Sequence, residues 1–61
     1  MATLAEAEVN YERMGRDAAA AWLRRHGWLE PEPCALWDEK TSMQRRLAAA
    51  YRRGYFSVVP A

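Results

Sequence analysis

The side chains best equipped for covalent chemistry occur singly: His26 is the only histidine and Cys34 the only cysteine. Pro31 and Pro33 stand between them. A thiol–imidazole nucleophile needs the two groups within hydrogen-bond reach and an oxyanion donor besides, and the spacing supplies neither. Zinc needs three or four ligands, and one His with one Cys makes two. Glu8 and Glu12 have helical spacing on an open face, where a raised pKa would lack a cause. No glycine-rich phosphate loop or dinucleotide fingerprint occurs. The sequence therefore points to a non-enzymatic protein without metal or cofactor.

The chemistry that remains belongs to arginine. Arg45, Arg46, Arg52 and Arg53 fall within nine residues with no acid among them. A guanidinium holds phosphate or carboxylate with two bonds at once, which the lysine ammonium cannot do. On a helix these four lie opposite Met43, Leu47, Ala50, Tyr51 and Gly54. They form either a solvated basic face or a footprint for phosphate or an acidic protein surface.

Three helices are expected to position these groups in an all-α bundle. The first runs over residues 4–26. Leu4, Ala7, Tyr11, Met14, Ala18 and Ala21 step by three and four along one stripe. Thr3 and Glu6 have capping-box spacing, and Gly27 after Arg24, Arg25 and His26 reads as a C′ stop. Gly15 and Ala19 make a small-xxx-small pair beside the stripe, a place for another backbone or for a partner's helix. Residues 28–33 are a proline-stiffened connector, from which Trp28 and Leu29 fold back over the first helix. Pro33 opens a short helix to residue 40, with Leu36 and Trp37 in the core. Thr41 and Gln44 cap a last helix over 42–53, which Gly54 stops. The apolar tail, residues 55–61, either covers the helices or adds to a partner.

Length limits how well such a bundle holds itself together. A chain of 61 residues makes one domain, 1–61, and buries only about 60% of its unfolded surface. Twelve of its residues are alanine, so the large side chains carry most of the burial. A partner, or a second copy giving a homodimer, is expected. Leu4, Tyr11, Met14, Gly15, Tyr55 and Phe56 are the candidate interface. A single cysteine excludes an internal disulfide and fits a reducing cytoplasm. No apolar run approaches the roughly 18 residues of a membrane span. The net charge of +1 hides an asymmetry: residues 1–12 carry −3 and residues 45–61 carry +4.

The run Arg46–Tyr55, RLAAAYRRGY, resembles the closing signature of ribosome modulation factor and its small relatives. Tyr51, Gly54 and Tyr55 occupy the places of an aromatic, a glycine three residues on and a second aromatic. Gly15 and Ala18 resemble the Gly-x-x-Ala of that family's first helix, and Pro33–Cys34 resembles its connector. The resemblance implies two packed helices joined by a linker, and docking on ribosomal RNA in the bacterial cytoplasm. The residues alone leave two further classes open. One is a small inhibitor or adaptor, of the kind phages and other mobile elements encode, that binds a host protein. The other is a helix-turn-helix DNA binder, for which Gln44 is the only base-reading candidate near the start of the last helix.

Overall fold

The computed structural model describes residues 3–58. It contains two helices, α1 (Leu4–His26) and α2 (Ser42–Tyr55), and no strand among the described residues. At about 1.5 Å per residue, α1 alone accounts for nearly all of the 36 Å long axis.

Both helices begin as their residue types dictate. The Thr3 hydroxyl accepts from the Glu6 amide at 3.2 Å. At α2 the capping box is complete: Thr41 Oγ1 accepts from the Gln44 amide, and Gln44 Oε1 accepts from the Thr41 amide at 2.8 Å. Gly27 ends α1 in the left-handed region at φ 77°, its amide donating to the Leu23 carbonyl.

The expected short helix over 33–40 is absent. Residues 32–37 instead make two i→i+3 turns, Ala35 N–H to Glu32 O and Trp37 N–H to Cys34 O. Pro33 brings no donor, and Cys34 is the only residue of 33–37 that is buried. Too little burial is gained there to offset the cost of nucleating a helix. Leu36, expected in the core, is 99% exposed, and Trp37 is only partly covered.

Gly54 also differs from expectation. It does not stop α2, which continues through it to Tyr55 with Phe56 as the cap. Its purpose is close approach: a Cβ at Gly54 would overlap the Glu12 carbonyl, and one at Gly15 would overlap that of Tyr51. The two glycines thus let the backbones of α1 and α2 touch, where only a residue without a side chain fits.

That crossing decides which face of α1 is inside. The seam runs through Gly15 and Ala19, both buried, rather than along the full stripe. Met14 is half exposed and Ala21 is exposed. On α2, Ala48, Ala50, Gly54 and Tyr55 are buried, whereas Met43 points outward. Small residues form the seam because they permit the closest contact. Tyr55, assigned to the tail from sequence, is the last residue of α2 and the largest buried side chain. Its hydroxyl accepts from the Glu30 amide at 3.0 Å, pinning the connector to the end of α2. Of the rest of that tail, Phe56 caps α2 and Ser57 donates to the Gly54 carbonyl, and residues 59–61 lie outside the described residues.

Contacts advance in the same sense along both helices. Arg46 meets Glu8, Arg53 meets Glu12, and Tyr55 reaches Glu30 beyond the end of α1. The connector therefore carries the chain back along α1 before α2 begins.

Candidate partner-binding surface

The four arginines of α2 divide into two rows. At 100° per residue, Arg45 and Arg52 lie about 20° apart, as do Arg46 and Arg53, with about 100° between the rows. The second row leans on α1. Arg46 Nη2 is 2.9 Å from Glu8 Oε1, and Arg53 Nε donates to Glu12 Oε2 at 3.1 Å. Arg16, one turn beyond Glu12, approaches the same carboxylate at 3.7 Å. In the first row, Arg52 holds Glu39 through two bonds of 2.8 and 3.2 Å. Those bonds hold the Glu39 carboxyl below its ordinary value and push the Arg52 guanidinium up. Arg45 makes no ion pair among the described residues.

Three of the four arginines thus have carboxylate partners within the chain. The signal for two of them was legible: an all-acidic first segment and an all-basic last one attract each other. Glu39, separated from Arg52 by 13 residues of sequence, could be found only by knowing how the connector turns.

The candidate interface residues separate in a similar way. Gly15 and Tyr55 are inside the crossing, with no surface to present. Leu4 and Tyr11 are half-buried, while Met14 and Phe56 face outward. Two apolar regions result. One is an open groove of about 340 Å³ lined by Tyr11, Trp37, Asp38, Gln44 and Leu47. In it Trp37 stands edge-on to Tyr11, centroids 6.0 Å apart, and tilted against Tyr51 at 4.7 Å. The other is the end of α1, eleven residues past the point where Gly15 meets the last turn of α2. Trp28 packs edge-on against Trp22 at 5.5 Å and beside His26, folding back as its position suggests, yet stays 52% exposed. Phe56 packs against Tyr55 and is 48% exposed. Arg24, Arg25 and His26 crowd the end of α1, whereas Phe56, at the end of α2, follows Arg52 and Arg53, which are already paired with Glu39 and Glu12.

Cys34 is buried, and loss of solvent pushes its thiol up. A raised thiol carries little thiolate at neutral pH and is a poor nucleophile. Burial likewise raises the Tyr51 hydroxyl. Among the described residues, no three His, Cys, Asp or Glu side chains gather as a metal site. No helix among those residues is long and apolar enough to cross a membrane.

The arrangement defines an all-α protein of two helices crossing on glycine, with its largest apolar side chains turned outward. No family model, no characterised protein and no solved structure matches the chain.

Proposed function

We propose that this is a small, non-enzymatic regulatory protein that docks on an acidic surface of a larger protein through the C-terminal end of α1. One observation carries this: Trp28 is exposed beside Arg24, Arg25 and His26 in the last turn of α1, and neither arginine makes an ion pair among the described residues. Tryptophan and arginine are the residue types most enriched at binding hot spots. An aromatic anchor within a basic rim suits an apolar pocket bordered by carboxylates. Such a protein acts in the cytoplasm as an inhibitor or adaptor, of the kind phages and other mobile elements encode.

A second function, docking on ribosomal RNA, draws support from a different observation. Of the residues that carry the likeness to ribosome modulation factor, Gly15, Cys34, Tyr51, Gly54 and Tyr55 build the helix crossing and the seat of the connector, while Ala18 and Pro33 are only half-buried. The likeness thus reaches what holds two helices and a linker together. Phosphate contacts would fall to Arg45 and to the exposed ends of Arg46 and Arg53, in competition with Glu8 and Glu12. That competition, with the net charge of only +1, makes a protein partner the better fit.

Copurification from the native host, with and without nuclease, separates the two. A protein partner is retained after nuclease and released by the double change Trp28→Ala with Arg25→Glu. An RNA partner is lost on nuclease treatment, and its affinity falls steeply with salt as counterions are released.

A further inference from the structure

We propose that the groove between Tyr11, Trp37 and Leu47 is a recognition site for an arginine side chain of a partner protein. It lies apart from the docking end of α1, because Tyr11 precedes Arg24 by 13 residues, about 20 Å along the helix. The proposal does not depend on what docks there.

The walls are the first argument. Tyr11 and Trp37 stand nearly at right angles, with 78° between their planes and 6.0 Å between centroids. Leu47 lines the groove with them. Tyr51 packs against the same indole at 4.7 Å, so Trp37 is braced by two tyrosines and still keeps 38% of its surface exposed. An exposed indole attracts cations to its ring face, and arginine is the side chain found there most often. Bracing also means that little side-chain freedom is lost when the cation arrives.

Charge is the second argument. Asp38 is exposed and lines the same groove. It makes no ion pair among the described residues, where the pairs formed engage Glu8, Glu12 and Glu39. The other polar lining residue, Gln44, has its side-chain oxygen bonded to the Thr41 amide. Apolar walls with a single carboxylate suit a cation carried on an apolar stem. Among such cations the guanidinium fits best. Its planar fork stacks on an indole, offers N–H groups to a carboxylate and gives up water more readily than an ammonium does. A lysine ammonium in so open a groove stays hydrated, and a quaternary ammonium has no N–H for Asp38.

The test uses the whole chain and three blocked tripeptides, whose middle residue between alanines is arginine, lysine or citrulline. Citrulline is arginine's uncharged isostere. Binding is read from the nuclear magnetic resonance signal of the Trp37 indole N–H. The arginine peptide should shift that signal to saturation with a Kd on the order of 1 mM, the scale of a single side chain. The lysine peptide should bind more weakly, and the citrulline peptide weaker by about tenfold or more. Equal binding of citrulline and arginine overturns the proposal. So does an arginine peptide that leaves the Trp37 signal in place at about 20 mM, well above that Kd. Asp38→Asn removes charge from an exposed side chain without an ion pair, so it should keep the circular dichroism and the melting temperature. It should weaken the arginine peptide about tenfold, the loss expected for a charge-assisted contact. Wild-type affinity in that variant also overturns the proposal.

Discussion

At Gly15 and Gly54 two effects of opposite sign meet. Within a helix, alanine is favoured over glycine by about 1 kcal/mol. Here the added methyl would run into the carbonyls of Tyr51 and Glu12, backbone groups that cannot turn aside. Overpacking of this kind costs about 1–3 kcal/mol, more where the backbone must move. Gly15→Ala and Gly54→Ala should therefore each lower stability by about 2 kcal/mol net, seen as a lower melting temperature. Unchanged melting in either variant would mean that the helices do not touch there. Glu39 makes a second prediction at this scale. Because Arg52 lowers its folded-state pKa, the pair stabilises the protein above the ordinary carboxylate range. That contribution disappears as pH falls through the lowered folded value. Glu39→Gln should thus melt below wild type at pH 7, and the gap should narrow as falling pH protonates the wild-type carboxylate too.

Among the elements, the connector is held to α2 by the Glu39–Arg52 pair and by the Tyr55 hydroxyl on the Glu30 amide. Tyr55→Phe keeps the ring in place and removes that acceptor, at a cost of about 1 kcal/mol. Amide exchange should quicken at Glu30 and along the connector before it does in either helix. Equal quickening throughout would show that the contact belongs to the global fold alone. The two arginines of the first row differ in the same local way. Arg45→Glu should leave the melting temperature nearly unchanged, whereas Arg52→Glu sets two carboxylates together at Glu39 and should lower it. Helix bounds were legible from sequence wherever a local signal fixed them, as at Thr3, Gly27 and Thr41, because caps act within one turn. What lay hidden was set by partners distant in the chain. Gly54 has the spacing of a stop, and only the Glu12 carbonyl pressed against it shows that it is a point of contact. The small residues beside the α1 stripe outrank Met14 for the same reason. Leu36 and Trp37 were placed inside on apolarity, yet a turn of this length can direct only Cys34 inward. At the candidate site, the arginines were legible as a group, but their carboxylates were not, apart from the complementary charge of the two ends.

For the molecule as a whole, a thin interior means little reserve. A single core of this size supplies about 3–5 kcal/mol. The shared direction of the two helices also bears on time. Side-by-side helices in a hairpin meet across a short loop, but here Arg53 finds Glu12 over a separation of 41 residues. Most of the chain must be ordered before the first contact between α1 and α2 is made, and its closure entropy is lost in advance of any return. Refolding should accordingly be slow for so small and so helical a protein, and the newly synthesised chain cannot close the seam at Gly15 and Glu12 until Gly54 has been added.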